Sequence, residues 1–214
     1  MFRSRHHTES VPELLTFGDF IYYAYANMQM LIVALDKGKS AFDMDCYRLR
    51  LNAYRAYCGG RWSIHDLRIN NKWKSEVGDY CWCCLKRVGR EELETAHLFP
   101  LAKGGADDAD NSVMVCKECN STLHDLDFLE WFSTVRKQWP SPHVFAYYLK
   151  LVYLYAVKYS LLCKTSAEID AMNLPFRYEF IPLSFPNSYL ARFAALRNPA
   201  FRSDNPQAFL PRKD

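Results

Sequence analysis

Two pairs of cysteines constrain the fold of this chain more than any other feature of its sequence. Cys81 and Cys84 stand in the segment CWCC, and Cys116 and Cys119 stand in the segment CKEC. Two residues between thiolates allow a tight turn to present both sulfurs to one tetrahedral Zn²⁺ ion. Two such pairs are typical of a structural zinc site, so we expect these four residues to hold the centre of the chain together.

The other cysteines suit a reduced protein. The chain has eight cysteines in 214 residues. Cys83 can replace either partner of the first pair, so the composition of that pair remains open. Four buried thiols without a metal are the alternative to a zinc site. Disulfides are typical of small secreted proteins, whereas this sequence begins with a polar segment that lacks the apolar stretch of a signal peptide. We expect a cytoplasmic protein in which Cys46, Cys58 and Cys163 are core residues.

Helical patterns lie on both sides of the cysteine pairs. An apolar and aromatic run over residues 13–36 predicts one helix or a bent pair, and a second helix is expected over residues 43–57. An apolar stripe with helical spacing runs from residue 145 to 162. Lysines interrupt this stripe, which favours a buried amphipathic helix over a membrane span. Six prolines from residue 175 onward predict an extended or looping tail.

These patterns divide the chain into three parts and predict an α+β fold. Residues 1–75 form an N-terminal helical region that is basic and aromatic, residues 76–130 form a central core, and residues 131–214 form a C-terminal helical cap with the proline-rich tail. Two short strands are expected in the core, at residues 93–99 and 112–115, with a helix after them.

The distribution of charge along the chain, and not the net charge, indicates a polyanionic partner. The net charge of +3 is small, but basic residues interleaved with tyrosine and tryptophan cluster between residues 48 and 74. That pattern suits contact with phosphates and stacking on bases, and it equally suits a solvated helix face in front of a tyrosine core. The residues expected to contact nucleic acid are Arg48, Arg55, Arg61, Arg68, Lys72, Lys74 and Lys103.

The segment between and around the cysteine pairs contains a further pattern. In AHLFPLAKGGADDADNSVMVCKECN, His97 is followed by Asn111 and then by Asn120. In order and spacing this segment resembles the core of the HNH nucleases, the ββα-metal family, and the similarity covers about residues 78–130. The resemblance implies a ββα-metal core with structural zinc that hydrolyses DNA phosphodiester bonds with a Mg²⁺ or Mn²⁺ ion. Basic patches do not distinguish RNA from DNA.

The resemblance also implies a role for each of these residues. His97 would be the general base, because a neutral imidazole can take a proton from water near pH 7. Asn111 would hold the loop and His97 in place through its side-chain amide. Asn120 would help to bind the divalent ion, which would polarise the phosphate. His124 stands four residues after Asn120, so we expect both on one helix face, with His124 either a second ligand or a packing residue.

One position departs from the family pattern. Asp or His often precedes the histidine and binds the metal, whereas Ala96 stands there in this chain. Either the metal is bound through other groups, as in branches that carry Ala-His, or the site is weak or inactive. Glu94 is one candidate replacement, since alternate strand residues share a face with Ala96, and Asp125 is another.

Two functions from different classes remain open. The first is a metal-dependent endonuclease, by analogy the nuclease of a bacterial defence or phage system. The second is a catalytically weakened, zinc-stabilised module for nucleic-acid binding or assembly, which Ala96 favours. The aromatic residues 17–25 suit either a core or a docking face for a protein partner or a second copy of the chain.

Overall fold

The structure is a computed structural model, and it describes residues 11–64 and 79–195. Helices and one two-stranded antiparallel sheet make up these residues, which confirms the α+β class predicted from the sequence. None of the helices in the described residues is both long and apolar enough to cross a membrane.

The central helix is α1, at Phe17–Asp36. The Thr16 hydroxyl accepts a hydrogen bond from the Asp19 amide (3.1 Å), and the Asp19 carboxylate accepts one from the Thr16 amide (3.0 Å), which fixes the start of the helix. Helix α1 is buried on nearly every side because it packs against α2 (Met44–Cys58) and two helices from the C-terminal part.

The first of these C-terminal helices is α5, at Pro142–Lys158, and it is preceded by α3 (Lys117–Leu123) and α4 (Phe128–Trp131). It begins with a Ser141 cap and a proline in the first turn, where proline is well tolerated. It ends before the predicted stripe does, since Ser160 has a φ of 55°. The chain then turns back, and Gly18 of α1 donates a backbone hydrogen bond to the Leu162 carbonyl (2.8 Å). A short helix, α6, follows at Ser166–Asp170.

The tail differs from the expectation of an extended segment. Helix α7 occupies Asn187–Ala195, directly after Pro186. Proline lacks an amide donor but has the φ of a helical residue, so it is compatible with the beginning of a helix. The Tyr189 hydroxyl donates a hydrogen bond to the Pro140 carbonyl (2.7 Å), which ties α7 to the segment before α5.

The sheet consists of β1 (Leu93–His97) and β2 (Ser112–Cys116). Leu93 lies opposite Cys116, and His97 lies opposite Ser112. Successive side chains point to opposite faces, and one face carries the buried residues Ala96, Val113 and Val115.

Helix α3, at Lys117–Leu123, follows β2 without a loop and packs against both strands. The chain continues into the short helix α4 (Phe128–Trp131), capped by the buried Asp127, and then into a wider turn at Phe132–Arg136. Strand, loop, strand and helix therefore follow each other in the order that the sequence predicted.

Candidate functional site

The four cysteines predicted to bind zinc lie together. The Sγ atoms of Cys81, Cys84, Cys116 and Cys119 are all within 4.8 Å of one another. The Sγ atoms of Cys84 and Cys116 are 3.9 Å apart. A Zn–S bond of about 2.3 Å in a tetrahedron separates the sulfurs by roughly 3.8 Å, so the arrangement fits a zinc ion.

A tight turn creates the first half of this cluster. The Cys84 amide donates a hydrogen bond to the Cys81 sulfur (3.5 Å), and the Leu85 amide donates one to the Cys81 carbonyl (2.9 Å). Leu85 has a positive φ of 64°, which closes the turn. The Trp82 amide donates a hydrogen bond to the Met114 carbonyl (3.0 Å), so the turn is fastened to β2.

The structure favours Cys81 and Cys84 as the first pair. Cys83 is buried next to the cluster but is not one of the four residues whose sulfurs converge. Hydrogen bonds from the thiols of Cys119 and Cys83 hold the pKa of Cys81 well below its usual range. Burial, in contrast, raises the pKa of the Cys83 thiol. Burial also raises the pKa of Cys84, to about 11, and the hydrogen bond with Cys81 raises the pKa of Cys119, so the assignment of the first pair rests on the converging sulfurs and not on the pKa values.

His97 is the last residue of β1, and its side chain is 20% exposed. Its Nε2 atom lies 3.1 Å from Oδ1 of Asp107, a residue of the loop between the two strands. A carboxylate at Nε2 favours the tautomer that carries its proton there, and so leaves Nδ1 as the basic nitrogen. Asp107 was not among the predicted site residues, since acidic loop residues are common and only the fold brings this one to His97.

Asn111 joins the two ends of that loop. Its Nδ2 atom donates hydrogen bonds to the carbonyl oxygens of Phe99 (2.8 Å) and Ala106 (2.9 Å), and its Oδ1 atom accepts one from the Phe99 amide (2.8 Å). The side chain is buried, with 3% exposure. The loop approaches Asn111 so closely that a Cβ atom at Gly105 would collide with the Phe99 carbonyl, which explains the glycine at this position.

Asn120 faces the sheet from α3. Its Nδ2 atom donates a hydrogen bond to Oε2 of Glu94 on β1 (2.8 Å). Glu94 lies two residues before Ala96 in the same strand, so the two side chains share the face that packs on α3. A carboxylate and an amide oxygen, both suitable ligands for Mg²⁺ or Mn²⁺, thus occupy the space between the sheet and the helix.

The expectation that His124 shares a helix face with Asn120 is wrong. Helix α3 ends at Leu123, and His124 has a φ of 47°, which rotates its side chain away from the helical direction. The side chain is 78% exposed, and its Nδ1 atom lies 3.1 Å from the Asp125 carboxylate. Among the described residues, only the four cysteines bring three or more His, Cys, Asp or Glu donors together.

The structure describes four of the seven cationic residues that are predicted to contact nucleic acid. Arg48, Arg55 and Arg61 are exposed on or just after α2. Lys103 ends a short 3-10 helix, Leu101–Lys103, within the loop between the strands, and its Nζ atom lies 3.4 Å from the Glu130 carboxylate. The remaining three, Arg68, Lys72 and Lys74, lie outside the described residues.

A buried carboxylate that was not predicted from the sequence, that of Asp127, lies next to a residue that contacts the segment after His97. Asp127 caps α4, and its Oδ2 atom accepts a hydrogen bond from the Tyr148 hydroxyl (2.6 Å). The next amide, that of Phe128, donates a hydrogen bond to the Leu98 carbonyl directly after His97 (3.2 Å). Burial raises the pKa of Asp127 to about 7. An aspartate at the start of a helix is a recognisable signal for a cap, but nothing local predicts that it is buried.

Comparison with known proteins identifies the central segment. Residues 81–128 match the family described as HNH endonuclease. A protein of Bacillus subtilis (strain 168), named as an HNH endonuclease derived from the SPbeta prophage, YoqL, is 28% identical to this chain over 111 residues. That alignment covers 48% of this chain and 46% of the relative, so the chain spans about half the length of the curated relative it matches. No solved structure matches the chain significantly. Residues 81–128 therefore belong to the HNH endonuclease family, as the order and spacing of His97, Asn111, Asn120 and the cysteine pairs predicted.

Proposed function

We propose that this protein is a metal-dependent HNH endonuclease that hydrolyses phosphodiester bonds of DNA. The observation that carries the proposal is the contact of His97 with Asp107 at the end of β1, within the segment that matches the HNH endonuclease family. A candidate water-activating base is thus held by a residue that orients it, and Asn120 and Glu94 offer oxygen donors for an ion, which are the groups that metal-assisted hydrolysis needs.

In this proposal His97 removes the proton from the attacking water. The Nδ1 atom accepts the proton, because Asp107 lies against Nε2 (3.1 Å) and favours the tautomer protonated there. Asn111 keeps the loop next to His97 closed, since the three hydrogen bonds of its side chain connect Phe99 with Ala106. The oriented base then remains aligned while substrate binds.

Asn120 and Glu94 are the residues that suit a Mg²⁺ or Mn²⁺ ion. Their side chains lie within 2.8 Å of each other between the sheet and α3, and both offer oxygen donors. When bound, such an ion polarises the phosphate and offsets charge on the departing oxygen. The cysteine cluster would have a different task, because four thiolates complete a tetrahedral shell and leave zinc no open position for chemistry.

The exposed arginines of the N-terminal region suit the phosphate backbone of DNA. The side chain of Arg48 is 72% exposed and makes only a 3.4 Å ion pair with Asp45, a contact weak enough to exchange for a phosphate. Arg55 and Arg61 are also exposed. Because these contacts carry charge and no base recognition, binding should weaken steeply as salt increases. The prophage origin in the relative's name supports a phage or defence role for this chain by analogy only.

A weakened binding or assembly module is the second candidate, and Ala96 is the observation that favours it. Ala96 is buried on the strand face toward α3 and offers no ligand atom. A chain that kept its zinc core but lost its divalent ion would still bind nucleic acid.

Cleavage of supercoiled plasmid by the full chain with Mg²⁺ or Mn²⁺ tests the proposal, beside His97→Ala and beside the exposed control Thr122→Ala. Cutting that requires the divalent ion, disappears in His97→Ala and persists in Thr122→Ala supports the endonuclease. Zinc content and thermal unfolding of His97→Ala must match the wild type. Absence of cutting, with zinc and DNA binding retained, supports the binding module instead.

A further inference from the structure

We propose that Glu94 is the acidic ligand of the divalent-ion site and takes over the part that Ala96 cannot fill. This inference rests on the proposed function and deepens it, because it names the carboxylate on which ion binding depends. The site would consist of Glu94, Asn120 and one Mg²⁺ or Mn²⁺ ion.

The geometry of β1 places the Glu94 carboxylate on the same face of the strand as position 96. Side chains two residues apart in a strand point to the same face and are separated by about 6.6 Å along it. Glu94 and Ala96 are such a pair, and Thr95 between them is exposed on the opposite face. The glutamate arm is long enough to reach the helix, since its carboxylate meets the Asn120 amide at 2.8 Å.

The electrostatic environment of Glu94 favours a cation. The side chain is partly buried, and its hydrogen bond to Asn120 is its one polar contact with the described residues 11–64 and 79–195. No lysine, arginine or histidine of this part of the chain pairs with it. A partly buried carboxylate without a positive partner leaves room for a divalent ion to balance its charge.

Two protein ligands are enough for an ion of this class. Mg²⁺ keeps several waters and is usually bound by one or two carboxylates together with phosphate oxygens of the substrate. The contact uses Oε2 of Glu94 and Nδ2 of Asn120, so each side chain retains an oxygen for an ion. Asp125, the other carboxylate considered, is less suitable, because it is 67% exposed beyond the end of α3 and is paired with His124.

The test measures Mn²⁺ binding to the zinc-loaded full chain by calorimetry, without nucleic acid. The variants are Glu94→Gln, the exposed control Glu92→Gln and Asp125→Asn. Glutamine preserves the length of the side chain and an oxygen that accepts the Asn120 hydrogen bond, so the contact between β1 and α3 survives. We expect the Mn²⁺ affinity of Glu94→Gln to fall by about tenfold or more, and the other two variants to match the wild type. Unchanged zinc content and thermal unfolding show that Glu94→Gln is folded.

Equal Mn²⁺ affinity of Glu94→Gln and wild type would overturn the inference, as would a wild type that binds no Mn²⁺. The endonuclease proposal fails separately. If Mn²⁺ affinity depends on Glu94 and the wild type cuts no DNA, the ligand assignment stands and the nuclease does not. If the wild type cuts DNA through His97 and Glu94→Gln binds Mn²⁺ normally, the nuclease stands and the ligand assignment does not.

Discussion

The Nε2 atom of His97 lies 3.1 Å from Oδ1 of Asp107, and Asn111 binds the residues on either side of that aspartate. The Asn111 side chain donates a hydrogen bond to the Ala106 carbonyl (2.9 Å), and its amide donates one to the Asp108 carboxylate (2.9 Å). Asn111 therefore acts on the histidine through the loop: it fixes the residues before and after Asp107, and Asp107 contacts the ring.

Substitution Asp107→Asn should lower the rate of DNA cleavage by about tenfold, a part of what a positioned general base supplies. The amide cannot favour the productive imidazole tautomer as the carboxylate does. Plasmid cleavage rates measured over a range of pH are the readout, with Asp110→Asn in the same exposed loop as the control. Equal rates for wild type and Asp107→Asn would show that the contact does not orient His97.

Substitution Asn111→Ala should reduce the free energy of unfolding by about 3 kcal/mol, because it leaves the buried polar groups that Asn111 binds without partners. The affected groups are the amide and carbonyl of Phe99 and the carbonyl of Ala106. Urea unfolding of the zinc-loaded protein measures the loss. Asn52→Ala, at an exposed position of α2, should change the free energy of unfolding by less than about 0.5 kcal/mol. A similar effect of both changes would contradict a role for Asn111 in closing the loop.

Replacement of Cys119 by serine should abolish tight zinc binding and destabilise the core, whereas Cys83→Ala should retain the full zinc content. Cys119 is one of the four converging sulfurs and Cys83 is not. Zinc content by elemental analysis and thermal unfolding with and without a chelator provide the comparison. Loss of zinc from Cys83→Ala would mean that Cys83 is the true ligand in the first pair.

Stability should depend on pH through Asp127. Burial raises its pKa in the folded protein to about 7, above the value of about 3.9 in an unfolded chain. The folded state therefore retains a proton that the unfolded state releases, and the free energy of unfolding decreases as pH rises from about 4 through 7. Denaturant unfolding at several pH values should show this decrease in the wild type and a smaller one in Asp127→Asn. Parallel curves for the two proteins would refute the assignment.

Substitution Ala96→Asp tests the departure from the family pattern directly. Ala96 is 3% exposed, so a new carboxylate there is destabilising until a cation accompanies it. We expect a lower melting temperature than wild type without divalent ions, and a larger increase on addition of Mn²⁺. An increase no larger than that of the wild type would show that position 96 does not face the ion.

The sequence predicted those parts of the site that depend on residues close to each other along the chain. The cysteine pairs, with two residues between their members, and the spacing of His97, Asn111 and Asn120 can be read directly from the sequence, so the cysteine cluster and the order of the core elements could be inferred. The contact of Glu94 with Asn120 was not predictable in the same way, because it depends on how α3 packs across the strands. The end of α3 before His124 was missed as well, since a positive φ at a histidine has no sequence signature.

The helical flanks show the same limit. Proline at position 186 suggested an extended tail, yet it precedes α7, because the effect of a proline depends on whether it lies inside a helix or before it. The burial of Asp127 was equally unpredictable from the sequence, since it depends on Tyr148, which lies in a helix further along the chain.

Cys119 and Asn120 are neighbours in α3. A zinc ion held by the first residue therefore fixes the rotational phase of the helix about its axis, and with it the direction of the second residue toward Glu94. A single peptide bond would then couple the zinc position to the proposed divalent-ion site. Because cadmium is larger than zinc, we expect its exchange for zinc to shift Asn120 relative to Glu94 and to change the affinity of the proposed site for Mn²⁺ without altering any residue that touches it.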